Sequence, residues 1–326
     1  MSEVTMADAG AVLIVRDTGP RTARPAAASL ALAGVTALVC AVGVVSLAHG
    51  AGLWRGLATG WAVLLAPAVL TVVATVLVLE RRWPAEPRPM AARGPLHDGL
   101  FFLVHVVAVV PFMTLLSAAF AHLLLVWAPW AARSWTHHVP TWLLVGATFV
   151  LMDGANWLAH RVDHGWSALW RFHALHHSQE EVSVLTSFRA HPLSHLPGFL
   201  LAAVPPFVLF GGRGVAPALI TVYVCLGTIP HANVDWSYGW AGRLLVSPAY
   251  HRLHHAVDGP AGSNLGVVLT VWDVLSGRAR WPTAGARRAP TGLAGRPVPV
   301  EQGAGAGWRP GVLVAQLAEP FVARPR

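Results

Sequence analysis

The stretch that decides the fold reads HRVDHGWSALWRFHALHH over residues 160–177, and a related motif, HRLHH, follows at 251–255. In a helix, residues at positions i, i+3 and i+4 share one face, so each histidine group directs two or three imidazoles at one point. Eight such ligands are too many for one tetrahedral zinc ion, and they suit two metal ions that share a site. The eight are His160, His164, His173, His176, His177, His251, His254 and His255.

The ligand type alone does not identify the metal, because imidazole binds iron, copper and zinc. Structural zinc sites usually use cysteine, and the two cysteines, Cys40 and Cys225, both fall inside apolar runs. Soluble di-iron bundles use Glu-x-x-His pairs, and the sequence has none. An all-histidine pair of metals beside a membrane indicates oxygen chemistry on a lipid. Single histidines in apolar runs are expected to be packing residues; these are His49, His105 and His122.

The composition indicates a membrane protein. Hydrophobic residues make up 55% of the 326 residues and charged residues only 12%, whereas about one quarter of a soluble domain is charged. The net charge is +8, but the arginines form no basic stripe with interleaved aromatics, so we expect no nucleic-acid partner.

Apolar runs that could cross a bilayer core of about 30 Å occur about six times. The fifth is short and contains three prolines, and the fifth and sixth either cross separately or form one re-entrant hairpin. We therefore predict an all-α integral membrane protein whose histidine-rich cap holds a dinuclear metal site. The runs are 26–48, 57–79, 100–127, 140–159, 196–210 and 215–229.

Arginine-rich and arginine-poor connections alternate along these runs. Because cytoplasmic connections carry the excess of basic residues, both termini and the histidine boxes are predicted to be cytoplasmic, in the inner membrane of the cell. The predicted divisions are a cytoplasmic segment 1–25, two spans within 26–80, a catalytic membrane domain 97–280, and a Gly/Pro/Arg-rich tail 281–326. The tail is expected to be loosely ordered, with a short apolar anchor at 312–317.

Residues 97–280 resemble the fatty acid hydroxylase and sterol desaturase superfamily. Members of that superfamily carry HxxxH, HxxHH and HxxHH motifs in this order, with membrane spans before and between them. The segments that flank the histidines match as well; they are LWRF at 169–172, TSFRAHP at 186–192, HAN at 231–233, NLG at 264–266 and WD at 272–273.

The resemblance implies that two iron ions are the cofactors, with zinc as a substitute in purified protein, and that the eight histidines above bind them. It adds His231 as a ninth ligand and His191 and His195 as weaker candidates. It also implies an oxidoreductase that uses dioxygen and two electrons to hydroxylate or desaturate a lipid C–H bond. The lipid could be a sterol, a fatty acyl chain, a carotenoid or an ether lipid, and a separate protein would donate the electrons.

Carboxylates are candidates for orienting the histidine ligands through their second ring nitrogen. Asp153 precedes His160 by seven residues, about two helical turns, and so shares its face within an apolar span. An ionisable group there is costly unless it is paired. The other candidates are Asp163, Asp235 and Asp273.

Two other classes of protein also fit the histidines. A zinc-dependent membrane lipid hydrolase would need a general base, and only Glu180 and Glu181 lie near the boxes in sequence. A non-catalytic metal-binding membrane protein would turn over no lipid and would tolerate the loss of single histidines.

Overall fold

The structure is a computed structural model that describes residues 25–48, 52–88, 93–132, 136–210, 217–283, 286–295, 298–299 and 310–322. Within these ranges every regular element is helical, and extended pairing is limited to isolated β-bridges. The all-α prediction is therefore confirmed. The predicted segment 1–25, apart from its last residue, lies outside the described residues, and so does His49.

Thirteen α-helices occur in the described part of the chain. The first seven are α1 (Pro25–Ala48), α2 (Gly52–Leu64), α3 (Pro67–Arg82), α4 (Arg93–Val104), α5 (Val110–Trp127), α6 (Thr141–Gly165) and α7 (Ser167–His177). The other six are α8 (Leu196–Gly198), α9 (Val204–Phe210), α10 (Pro217–Thr228), α11 (Pro248–His255), α12 (Val271–Leu275) and α13 (Pro310–Ala318). Single π-helical turns at His105–Val109 and Phe199–Ala203 join α4 to α5 and α8 to α9.

Five helical stretches are long and apolar enough to cross a membrane, and the chain is an integral membrane protein. They are Ala28–Val45, Trp54–Arg82, Arg93–Trp127, Thr141–Gly165 and Pro192–Phe210. The first five predicted runs fall within or overlap these stretches. The sixth forms the shorter apolar helix Pro217–His231, so a sixth crossing stays a prediction.

The first two histidine motifs lie on two helices that meet at one residue. The predicted fourth span does not stop at 159, because α6 continues as a helix through the HRVDH motif to Gly165. Trp166 then adopts an extended conformation (φ −113°, ψ 115°), and α7 begins at Ser167. This break folds α7 back, so the faces of the two helices that carry histidines can converge.

Helix α1 packs closely along α5. A Cβ atom added at Gly43 would overlap the carbonyl oxygen of Leu115, so the helix backbones approach at a distance that only glycine allows. Leu116, Leu196 and Phe199 form a buried cluster beside this contact. The cluster packs α1 and α5 against the segment from Leu196 to Phe199.

Residues 310–321 of the predicted tail are helical and packed, although the sequence suggested a loosely ordered segment. The predicted anchor 312–317 lies in α13, where the Gln316 side chain is 2.8 Å from His97 Nε2 on α4. Just beyond it, the Arg171 guanidinium of α7 donates to the carbonyl oxygens of Glu319 and Val322. The tail is therefore attached to the helix that carries the second histidine motif.

Candidate metal centre

Five of the predicted histidine ligands converge in one group. One ring nitrogen from each lies within 4.8 Å of the others. His254 Nε2 is 3.0 Å from His160 Nε2, and His164 Nε2 is 3.1 Å from His177 Nε2. The group combines α6, α7 and α11, and its members are His160, His164, His173, His177 and His254.

The other four converge in a second group beside the first. His231 Nε2 lies 3.1 Å from both His176 Nε2 and His251 Nε2. His255 Nε2 lies 3.2 Å from His251 Nε2. The rings of His177 and His255 stack with their centroids 4.4 Å apart, so the two groups adjoin. The members are His176, His231, His251 and His255.

The separations between these nitrogens fit metal coordination. Two imidazole nitrogens bound at about 2.1 Å to one ion are about 3.0 Å apart at a right angle and about 3.4 Å apart at the tetrahedral angle. The contacts between Nε2 atoms measure 3.0–3.2 Å. His251 Nε2 approaches two other Nε2 atoms at once, and one N–H can donate to only one of them. A shared metal ion accounts for the convergence better than hydrogen bonds between the rings.

Backbone carbonyls set the orientation of three of the rings. Nδ1 of His160 lies 2.9 Å from the carbonyl oxygen of Leu265, and Nδ1 of His254 lies 2.9 Å from that of Ser263. Nδ1 of His176 lies 3.2 Å from the carbonyl oxygen of residue 189. A carbonyl oxygen can only accept a hydrogen bond, so the Nδ1 atom of each ring carries the proton. The Nε2 atom of each ring then directs its lone pair toward the metal site.

A hydroxyl orients the ninth histidine. The Ser187 Oγ donates to the carbonyl oxygen of Thr228 at 3.1 Å, and it lies 2.9 Å from His231 Nδ1. Because its proton is used on the carbonyl, the hydroxyl accepts from His231 Nδ1. His231 Nε2 is then free to bind a metal.

Burial keeps the histidines beyond the membrane helices neutral. Removal from water lowers the pKa of His176 to about 3. Burial, reinforced by neighbouring imidazoles, holds the pKa values of the others well below the usual value; these are His173, His177, His251, His254 and His255. A neutral imidazole is the form that binds a metal. His173 Nε2 is also buried without a hydrogen-bond partner among the described residues.

Two of the predicted orienting carboxylates act on the 265–272 segment. Asp153 accepts from the backbone N–H groups of Val268 and Leu269 and from Trp272 Nε1, at 2.8–3.1 Å. Asp273 accepts from the N–H of Leu265 at 3.0 Å, and the carbonyl of that residue receives the His160 proton. Both aspartates are fully buried. They therefore position His160 through the backbone, without touching its ring.

The other predicted residues take different places. Asp163 Oδ2 is 3.9 Å from His173 Nδ1, whereas Asp235 pairs with Arg287 and Arg288 at 3.8 Å. The weaker ligand candidates belong to neither histidine group. His191 Nδ1 accepts from the N–H of Leu193 and caps a helical turn. The His195 ring packs on His105, with centroids 5.2 Å apart.

A buried ion pair, which the sequence did not predict, supports His176. Arg189 Nη1 lies 3.0 Å from Asp98 Oδ1, and both side chains are fully buried. Asp98 also accepts from Gln179 Nε2 at 2.9 Å and from Thr186 Oγ1 at 2.7 Å. Since the carbonyl of Arg189 receives the His176 proton, this pair holds the acceptor in place.

Segment 80–88, which begins at the end of the second span, supports the second group. Glu80 Oε1 accepts from the N–H groups of Val184 at 2.7 Å and Asn233 at 3.0 Å. The Asn233 amide bonds the backbone of Glu86 through both its oxygen and its nitrogen, at 3.2 and 2.9 Å. These contacts fix the loop two residues after His231. An ionisable residue such as Glu80 at the end of an apolar run is a signal that could have found it.

The same segment reaches the third histidine motif. Glu86 Oε2 lies 2.8 Å from Arg252 Nη2 and 2.6 Å from Arg88 Nη2. Burial acts to raise the pKa of the Glu86 carboxyl, but its bonds to the two arginines outweigh burial and lower the pKa. Arg252 directly follows His251 in the HRLHH motif, so segment 80–88 bonds residues close in sequence to His231 and His251, two members of the second group.

Comparisons with known proteins agree with this architecture. The fatty acid hydroxylase family model matches residues 145–278. An ornithine lipid hydroxylase from Rhizobium tropici is 31% identical over 195 residues, which are 59% of this chain and 54% of that protein. Human alkylglycerol monooxygenase is 25% identical over 136 residues, 40% of this chain and 29% of that protein. A methylsterol monooxygenase from Arabidopsis thaliana is 29% identical over 138 residues, 40% of this chain and 44% of that protein.

The chain thus spans about half or less of the length of these relatives. No solved structure matches. The family match covers all nine converging histidines, from His160 to His255, and the similar proteins are all lipid hydroxylases or monooxygenases by name. Residues 145–278 therefore match the fatty acid hydroxylase family, and the relatives to which the chain is similar are of the fatty acid hydroxylase and sterol desaturase superfamily.

Proposed function

We propose that this chain is a membrane-bound oxygenase that uses dioxygen and two electrons to hydroxylate a C–H bond of a lipid at a pair of iron ions. The observation that carries the proposal is the convergence of nine imidazoles, buried or half-buried, in two adjoining groups. The names of the relatives support a reaction that adds oxygen to a lipid.

Iron is the metal we propose, although the donor set alone also suits copper and zinc. The groups hold five and four histidines, respectively. When bound, the iron pair supplies the activation of dioxygen. In His160, His176 and His254 the proton on Nδ1 is donated to a backbone carbonyl oxygen, and this bond turns the Nε2 atom of each ring toward the metal site. The chain's burial of the centre also excludes water, which is how a protein tunes chemistry that its cofactor performs.

The zinc hydrolase alternative would need a general base at the centre. Of the glutamates near the histidine boxes, Glu181 accepts through Oε2 from the N–H of Gly94 at 2.7 Å. Asp163 is the carboxylate in contact with the centre, at 3.9 Å from His173 Nδ1. A requirement for dioxygen separates the two reactions.

The proposed substrate is a lipid that enters from the bilayer, since the histidines of α6 lie at the end of a membrane helix. We further propose that the centre faces the cytoplasm at the inner membrane, as the arginine distribution indicates. A separate electron-donor protein would deliver the electrons there. The products of the reaction decide between hydroxylation and desaturation.

The first experiment measures metal content and Mössbauer spectra of iron-57-enriched protein purified anaerobically in detergent. Wild type is expected to hold about two coupled irons per chain, and His176→Ala is expected to lose iron and the coupling. His138→Ala is the matched control, because His138 is exposed at the opposite end of α6. Zinc alone under iron-replete expression, or no metal, would overturn the proposal.

The second experiment follows the reaction. Membranes that contain the protein, a reductant and a reductase system are supplied with heavy-isotope dioxygen, and extracted lipids are analysed by mass spectrometry. A lipid that carries one heavy oxygen atom, absent with His176→Ala and without dioxygen, supports hydroxylation. Loss of two hydrogens without oxygen gain indicates desaturation, and ester cleavage without dioxygen indicates the hydrolase.

A further inference from the structure

Two apolar strips outside the five membrane helices are exposed. The first lies at 236–245 and the second at 271–275, on α12. Trp240 and Leu275 leave 81% and 75% of their surface uncovered. We name the two strips together the tryptophan–leucine patch; its members are Trp236, Trp240, Leu244, Leu245, Val271, Val274 and Leu275.

The two strips form one surface. The N–H of Thr270 donates to the carbonyl oxygen of Leu244 at 3.0 Å, and the N–H of Val246 donates to that of Val268 at 2.9 Å. These bonds join the end of the first strip side by side with the residues just before the second strip. A continuous exposed apolar surface of this kind marks an interaction site.

Contacts with two membrane helices fix the level of the patch. Trp83 directly follows the stretch Trp54–Arg82, and its ring centroid lies 6.4 Å from that of Trp236. On the other strip, Trp272 Nε1 donates to Asp153 of α6 at 2.8 Å. The first contact places the patch beside the end of the second span, and the second contact attaches it to the middle of α6. Tryptophan is enriched at the level of a bilayer where spans end.

The charges around the patch favour a lipid surface. Within 236–245 and 268–280 the sole acidic residue is Asp273, which is fully buried. Arg243 and Arg280 are exposed at the edge of the patch. An apolar face bordered by cations is the pattern that binds the boundary between headgroups and acyl chains, above all in anionic membranes.

We propose that the tryptophan–leucine patch is immersed in the bilayer interface on the histidine side, as a membrane contact additional to the five spans. The occupant is the lipid surface. Segment 264–270, which includes the Leu265 carbonyl that accepts from His160, runs into the strip at 271–275. The immersed strip at 271–275 therefore directly follows, along the backbone, the segment that orients His160.

The test uses spin labels on the full-length chain in vesicles of equal parts phosphatidylcholine and phosphatidylglycerol. In a background with Cys40→Ala and Cys225→Ala, single variants Trp240→Cys and Leu275→Cys are labelled. Power-saturation spectra then compare collisions with oxygen, which enters lipid, and with a water-soluble nickel chelate. Val107→Cys, on an exposed position within a span, is the lipid control, and Ala261→Cys is the water control.

The ratio of oxygen to nickel collisions at both patch positions is expected to exceed that at position 261 severalfold and to approach that at position 107. A nickel accessibility equal to that at position 261 would overturn the proposal. Exclusion of both reagents would also overturn it, because a protein partner or second copy would then cover the patch. Val274→Cys replaces Leu275→Cys if that variant does not elute like wild type.

Discussion

The substitution Asp98→Asn tests the buried pair that supports His176. It keeps the shape of the side chain but removes the charge that faces Arg189 Nη1 at 3.0 Å. An amide oxygen can still accept from Arg189 and Gln179, whereas the amide nitrogen would now face Thr186 Oγ1. The guanidinium would remain buried without a compensating carboxylate.

The expected cost follows from that uncompensated charge. Removal of one partner from a buried pair costs about 3–5 kcal/mol. With an unfolding entropy of about 2.1 cal/mol/K per residue over 326 residues, this corresponds to a fall of about 4–7 °C in the thermal midpoint. We also expect Asp98→Asn to lose iron from the four-histidine group, because the Arg189 carbonyl would no longer be held against His176 Nδ1.

The assay combines thermal unfolding in detergent, followed by tryptophan fluorescence, with iron content per chain. Asp258→Asn is the matched control, because Asp258 is exposed. The double variant Asp98→Leu, Arg189→Met removes both charges and is expected to recover part of the midpoint, since apolar replacement of a buried pair is often neutral. A midpoint within about 1 °C of wild type, with full iron in Asp98→Asn, would refute the reasoning.

Three further changes test other parts of the structure. His231→Ala is expected to lower iron from about two to about one per chain, because the five-histidine group keeps its ligands; unchanged iron would exclude His231 as a ligand. The pKa of the Glu86 carboxyl is lowered, so its pairing with Arg252 stabilises the fold above about pH 4.3 and is lost as the pH falls through the folded pKa. Glu86→Gln should therefore lower the free energy of unfolding at neutral pH by less than about 1 kcal/mol after solvent screening. The accompanying difference in thermal midpoint from wild type should disappear in acid, and a difference that widens in acid would contradict the sign. Gly43→Val is expected to cost about 1–3 kcal/mol through overpacking against α5, whereas Gly34→Val, with no atom within 4 Å of its added Cβ, should leave the midpoint unchanged; equal midpoints for the two variants would count against the close packing.

The sequence was most informative where function depends on local spacing. The motifs at 160–164, 173–177 and 251–255 predicted which imidazoles share a helix face, and the structure brings those imidazoles together. The sequence could not show how the three faces meet. That depends on the extended residue Trp166 and on the 264–270 segment, where Asn264 adopts a left-handed conformation (φ 56°).

The supporting carboxylates were harder to predict because their partners are distant in sequence. Asp153 was expected to orient a histidine from the same helix, but its bonds reach a segment more than 100 residues later. Glu80 and Asp98 act across 104 and 91 residues, respectively. Neighbouring residues specify a helix face, whereas the pairing of a carboxylate with a remote backbone depends on the packing of the whole chain.

The N-terminal helices therefore bear on the boundary of the catalytic domain. The family match begins at residue 145, yet Glu80 and Asp98 both bond the segment 184–189, which supports His176 and His231. A fragment that begins at 97 would keep Asp98 but lose both carboxylates of segment 80–88. It would leave the N–H groups of Val184 and Asn233 without their acceptor, and unmade buried bonds cost about 1–3 kcal/mol each. We therefore propose that the functional unit includes the second span and segment 80–88, so that the end of this span provides part of the metal-site support.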